Sequence, residues 1–180
     1  NSNLKTVADY YGLSPTQITT LYQTHSNKSL LLNKKILNNN YQYDGIVTNQ
    51  KNIILSILTA DCAPILFYDY KKIIIGACHV GWRGALSGII KNTLKNMIIL
   101  GSTSKNIKCA IGPCIGQNSY YVKKEFYHSF VFKNKKNSKF FKKLGSNNYL
   151  FSLESFILNQ LKLLGIENIH SINIDTFAEE

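Results

Sequence analysis

Residues 73–100 read IIIGACHVGWRGALSGIIKNTLKNMIIL, and the period of their apolar residues changes part-way. Ile73 to Cys78 is an almost continuous run rich in β-branched residues, as expected of a strand buried on both faces. From Ala85 to Leu100 the spacing becomes helical, with Leu86, Ile89, Ile90, Leu94, Met97 and Ile98 on one stripe and Gly101 as its stop. A glycine-rich turn, Gly81-Trp82-Arg83-Gly84, joins the two. Upstream, Ile65 to Tyr68 repeats the strand pattern, and the polar turn Asp69 to Lys72 predicts a hairpin with the run at 73. Ile53 to Leu58 is a third run of the same kind, and all three are expected to be buried on both faces. Downstream, Ile107 to Ile111 and Asn168 to Ile174 read as strands. Tyr121 to Phe132 reads as a helix, and so does Ser152 to Leu164, which has Ser152 as N-cap and stops at Gly165. Leu4 to Gly12 is a further helix. No repeat or linker divides this alternation, and 180 residues suit one domain. The expected fold is an α/β (α+β) mixed-sheet sandwich, a single domain over 1–180.

Composition narrows the function. A net charge of +11 and a pI near 9.5 raise the question of nucleic acid. The basic residues are scattered beside Asn and Ile, however, without the aromatic-interleaved stripe that such binding uses, so no nucleic-acid partner is expected. The densest group, Lys133 to Lys143, reads as a solvated loop. No apolar run approaches the roughly 18 to 20 residues of a membrane span, which points away from a membrane partner. Four cysteines, at 62, 78, 109 and 114, lack the spacing of a disulfide scaffold, so a reducing, cytoplasmic setting is the expectation, with Cys109 and Cys114 as structural thiols. The chain opens on Asn1 with no leader pattern, which predicts missing upstream residues or a trimmed fragment.

Three segments place reactive groups at the ends of elements: Gln23-Thr24-His25-Ser26, Thr59-Ala60-Asp61-Cys62-Ala63-Pro64 and Cys78 to Gly84. His25, Cys62 and His79 offer two imidazoles and a thiolate, a borderline-soft set that suits zinc. Three protein ligands leave a fourth position for water, whose pKa zinc lowers to about 7. The opposing reading is that each is an ordinary packed or surface residue. Around Arg83, the backbone N–H groups of Gly81 and Gly84 and the guanidinium suit a phosphate, whereas a tight turn explains the same glycines by backbone shape alone. Gly112-Pro113-Cys114-Ile115-Gly116 is open in the same way between pocket lining and turn.

At these residues the chain resembles the laccase-domain family, also called multicopper polyphenol oxidoreductases and recognised as purine nucleoside phosphorylases with adenosine deaminase activity. The matching blocks are Gln23 to Ser26, Asp44-Gly45-Ile46-Val47-Thr48, Thr59 to Pro64, His79 to Gly84 and Gly112 to Tyr120, within a span from about Ala8 to Asp175. The resemblance implies a metal held by His25, Cys62 and His79. It also implies phosphorolysis of adenosine, inosine or methylthioadenosine and zinc-dependent deamination of adenosine. Purine nucleosides and phosphate are then the partners, Arg83 a phosphate ligand, and Asp61 a candidate for proton transfer or ligand orientation. Tyr121 stands where the family commonly has Glu. The family also usually carries about fifty residues before this segment and an aromatic-Ser-Tyr-Arg-Arg segment after it, so the domain is expected to be incomplete at both ends. Three alternatives remain: a copper-dependent phenol oxidase, disfavoured by having only four histidines; a cysteine hydrolase using Cys62 and His79; and a noncatalytic interaction module.

Overall fold

The computed structural model describes residues 2–33 and 42–178. Its first half comprises helix α1 (Ser2–Tyr10) and strands β1 (Ile18–Thr19), β2 (Ser29–Leu31), β3 (Gly45–Thr48), β4 (Ile54–Leu55), β5 (Ala63–Asp69) and β6 (Ile74–Val80). Helices α2 (Trp82–Ser87) and α3 (Ile89–Ile99) follow, then strands β7 (Ile107–Ile111) and β8 (Tyr121–Lys123) and helix α4 (Lys124–Lys133). Strands β9 (Phe141–Lys143) and β10 (Asn148–Phe151), helix α5 (Leu153–Leu163) and strand β11 (Asn168–Ser171) complete it. This is a mixed α/β fold, as the alternation of periods predicts.

The expected hairpin is the centre of a six-stranded sheet ordered β11-β7-β5-β6-β3-β2, antiparallel in the middle and parallel at each edge. Asp69 fixes its turn by accepting the N–H groups of Lys71 and Lys72, each at 2.9 Å. Helix α3 lies across β6, β3 and β2. Its Ile89, Ile90, Leu94 and Met97 are buried, while Asn92 and Asn96 donate to the carbonyls of Asn27 and Ser29 beside β2. Helix α5 buries Ile157 and Leu161 in the same core and donates from Gln160 to the Ala85 carbonyl. A smaller sheet, β8-β10-β9, packs with α4 through Phe126, Phe130, Phe141 and Phe151.

Several local expectations change. The single helix from Ala85 is two helices, because Gly88 adopts a left-handed φ of 97° that closes α2 and opens α3. Of the three runs expected to be buried on both faces, only the one that forms β6 is. β5 alternates, leaving Leu66 and Tyr68 exposed, since helices cover one side of the sheet there. The run at Ile53 shrinks to β4, which pairs in parallel with β1 outside the large sheet and helps cover Leu32, Ile46 and Ala77. Tyr121 to Lys123 form a strand against β10 before the helix begins, pairing having overridden the helical spacing. The lysine-rich stretch folds as a 3-10 turn, Lys135–Phe140, followed by β9. Phe140 anchors it in the core while its lysines face solvent. Among the described residues no helix is long and apolar enough to cross a membrane.

Candidate metal centre

The three sequence-predicted donors meet at one end of the large sheet. His79 is near the end of β6, and Cys62 immediately precedes β5, whose Ala63 pairs with Val80. His25 arrives from the loop before β2. Their ligand atoms all lie within 4.8 Å of one another, with Cys62 Sγ 3.9 Å from His25 Nε2 and the two imidazoles edge to face at 4.7 Å. The centre is graded from solvent inward: His25 is exposed, Cys62 half-buried and His79 buried.

One residue holds this arrangement, and its side chain was not read from the sequence. Asp44 is fully buried at the start of β3. Its Oδ1 is 2.8 Å from His79 Nδ1 and accepts the N–H of His25 at 3.0 Å. Its Oδ2 accepts the Thr24 N–H at 3.3 Å and both the N–H and hydroxyl of Ser26 at 2.6 Å. The carboxylate thereby leaves His79 Nε2 for another partner and keeps His25 at a left-handed φ of 58°. Burial opposes its ionisation, but the hydrogen bonds from Ser26, His79 and the backbone of Ser26 and Thr24 outweigh it and hold the carboxyl below its ordinary range. The quoted block from Asp44 to Thr48 contained this residue; the signal available was an acid next to a glycine at the head of an apolar strand.

Gln23 clamps the two approaching loops together, donating to the Leu58 carbonyl at 2.7 Å and accepting the Leu58 N–H at 2.9 Å. Gly81 explains how closely the donors approach. A Cβ there would stand 2.8 Å from Cys62 Sγ and 3.0 Å from the His25 ring, so position 81 admits no side chain without displacing a donor. Gly84 is buried under the Ser26 carbonyl and Ile89. Arg83 is exposed on α2, its guanidinium 4.8 Å from the centroid of the Trp82 ring.

Asp61 sits in a left-handed turn at φ 70° beside Cys62. Its carbonyl accepts the Ile115 N–H, and its carboxylate accepts the Thr176 hydroxyl at 2.9 Å. The acid in contact with a candidate ligand is therefore Asp44, and Asp61 is bonded to the C-terminal segment. Gly112 to Gly116 does both things left open for it: it turns after β7 and lines a cavity of about 350 Å³ with Ser152, Glu154 and Asp175. Burial, with the nearby charges of Asp61 and Asp44, pushes the Cys62 thiol up. Two imidazoles and one thiol within reach of a single point are a donor set of the kind that transition metals take. Among the described residues this is the one His/Cys/Asp/Glu group placed to hold a metal; His128 and His170 lie elsewhere. Cys78, Cys109 and Cys114 are buried free thiols, each pushed up by burial, to about 12 for Cys109 and Cys114.

Comparison with known proteins gives this geometry a context. The family described as multi-copper polyphenol oxidoreductase laccase matches residues 1–180. Purine nucleoside phosphorylase RP494 of Rickettsia prowazekii is 34% identical over 178 residues, covering 98% of this chain and 72% of that protein. Purine nucleoside phosphorylase RC0672 of Rickettsia conorii is 35% identical, with 98% and 72% covered. The crystal structure of the Bacillus licheniformis hypothetical protein YfiH superposes with a TM-score of 0.90 at 26% identity, covering 99% of this chain and 72% of that one.

Proposed function

Because the chain belongs to the multi-copper polyphenol oxidoreductase laccase family, we propose that it is a purine nucleoside phosphorylase that also deaminates adenosine, using zinc held by His25, Cys62 and His79. The observation that carries this reading is the convergence of those three donors within 4.8 Å, with Asp44 orienting one of them. The relatives named purine nucleoside phosphorylase support the substrate class, a purine nucleoside such as adenosine, inosine or methylthioadenosine together with phosphate.

In phosphorolysis a phosphate oxygen bonds to C1′ of the ribose as the bond to the purine nitrogen breaks, and the departing base takes the electron pair and a proton. Arg83 is suited to hold the phosphate through its forked N–H donors, while its stack on Trp82 restricts where that fork points. The backbone N–H groups at Gly81 and Gly84 add donors on the same turn. Asp61 is the candidate group for holding or moving a proton, its carboxylate being next to Cys62 in sequence and fixed by Thr176. Zinc, when bound, supplies a Lewis acid and activates water for removal of the 6-amino group.

Metal analysis with a turnover screen tests the reading. About one zinc per chain is expected, with loss in folded Cys62→Ala and His79→Ala variants. Full occupancy in those variants removes the triad, and stoichiometric copper revives the phenol oxidase. Arg83→Ala should impair phosphate-dependent release of hypoxanthine from inosine more than ammonia release from adenosine. Equal losses at unchanged zinc would place Arg83 on the nucleoside or the fold instead.

A further inference from the structure

The three donors are held from different sides. Asp44 accepts hydrogen bonds around His25 and His79, and none of these bonds reaches Cys62. Cys62 follows Asp61, whose left-handed φ of 70° is a conformation that a residue with a Cβ keeps only where its surroundings hold it. The peptide unit joining the two is fixed at both of its polar groups. The Asp61 carbonyl accepts the Ile115 N–H at 2.9 Å, and the Cys62 N–H donates to the Ala60 carbonyl at 2.9 Å. The Asp61 carboxylate accepts the Thr176 hydroxyl, also at 2.9 Å.

The segments that supply Ile115 and Thr176 are in turn tied to each other. The Thr176 N–H donates to the Cys114 carbonyl and the Cys114 N–H to the Ile174 carbonyl, each at 3.2 Å, a parallel bridge between Cys114 and Asp175. The Asp175 carboxylate accepts the Ser119 hydroxyl at 2.7 Å and the Phe177 N–H at 3.1 Å, and a Cβ at Gly116 would collide with it. Residues 174–177 therefore form a strap on the turn after β7. The Thr176 hydroxyl carries that strap across to the residue before Cys62, 115 positions away in sequence. Because the peptide plane between 61 and 62 sets the direction in which Cys62 projects its Cβ, bonds that fix the plane limit where Sγ can lie relative to the imidazoles.

We propose that Thr176 is a positioning residue for the thiol donor: through Asp61, the strap aims Cys62 Sγ at the point shared with His25 and His79. The inference rests on the metal reading and deepens it. Asp44 orders the imidazole side of the centre from β3, and the C-terminal strap orders the sulfur side from the opposite end of the chain. A role confined to fastening the C-terminal segment would leave the sulfur–metal bond untouched.

Cobalt(II) is a probe that reads this bond directly, since a thiolate ligand gives it a charge-transfer band that nitrogen and oxygen ligands do not. Cobalt and zinc affinities are measured by chelator competition, and denaturant unfolding is followed in parallel. Thr176→Val, which keeps the shape and removes the hydroxyl, should weaken both metals about tenfold and diminish or shift the band. Thr176→Ser, which keeps the hydroxyl, should restore affinity and band together. An unaltered band and affinity in Thr176→Val overturn the proposal, whatever happens to unfolding, and so does a loss that Thr176→Ser does not restore. Cobalt uptake by the unsubstituted protein separates the two readings. Uptake with the band, insensitive to Thr176, removes the positioning role and leaves the metal centre intact. Uptake without the band, or none at all, removes Cys62 as a ligand and the positioning role with it.

Discussion

Phe126, Phe130, Phe141, Phe151 and Phe156 meet ring to ring, with centroids 4.8 to 6.1 Å apart, around a core of helix and strand residues. The metal edge begins next to Trp82 and is built differently: two of its residues, His25 and Asp61, have positive φ, its key carboxylate is buried, and its donors come from three separated segments. The aromatic region gains stability from area and close packing, which need no particular chemistry. The metal edge places reactive groups against conformational preference and relies on hydrogen bonds to keep them there. Comparing them separates packing that needs only apolar area from candidate ligands that need hydrogen bonds to hold them, within a few residues of each other.

Substitutions can break that contrast. Phe130 is fully buried and touches four other aromatic rings of the cluster and Trp82, so Phe130→Ala should cost about 3 to 5 kcal/mol in denaturant unfolding. Metal stoichiometry of the folded variant should be unchanged. A loss of metal affinity comparable to that of a donor substitution would mean that the two regions are one unit. Asp44→Asn should do the reverse, weakening metal binding about 10- to 100-fold in chelator competition with a smaller effect on unfolding. If Asn at 44 leaves affinity intact, the carboxylate's role is confined to the His25 loop.

A smaller effect sharpens the comparison at the C-terminal side of the metal edge. The Gly116 N–H lowers the Asp175 carboxyl most; burial opposes this, and the Ser119 hydroxyl and the N–H groups of Phe177 and Ala178 add to it. With its folded pKa below the ordinary value, Asp175 contributes stability that is present above about pH 4 and lost as pH falls through the folded pKa. Asp175→Asn should therefore flatten the acid limb of a stability-against-pH curve and leave the slope between pH 5 and 8 unaltered. An unchanged acid limb would show that these bonds are equally available in the unfolded chain.

What could be read from the sequence follows the same division. β6, the β5–β6 hairpin, β7 and α5 with its Ser152 cap were legible because each expresses one period or one local hydrogen bond. That His25, Cys62 and His79 lie together was legible through the family resemblance, since the residues alone read equally well as ordinary packed or surface side chains. The small β8-β10-β9 sheet was not, since three-residue strands carry too few residues to show a period. The open face of β5 was hidden as well: Leu66 and Tyr68 are as apolar as their buried neighbours, and only the position of the helices leaves them exposed. Asp44 was missed as a functional residue because its importance is collective. It touches residues 18 to 20 positions upstream and His79 35 positions downstream, and no local pattern records that.

Asp44 has one more consequence, for timing. Fixing the backbone of a loop residue removes conformational entropy worth about 1 to 2 kcal/mol. Here three consecutive residues, Thr24 to Ser26, are fixed by one buried carboxylate of the same chain. Their freedom is lost when β3 docks into the sheet, long before a metal or substrate arrives. An ion arriving at the proposed centre would therefore meet a His25 backbone already held in place, with no ordering of Thr24 to Ser26 left to wait for.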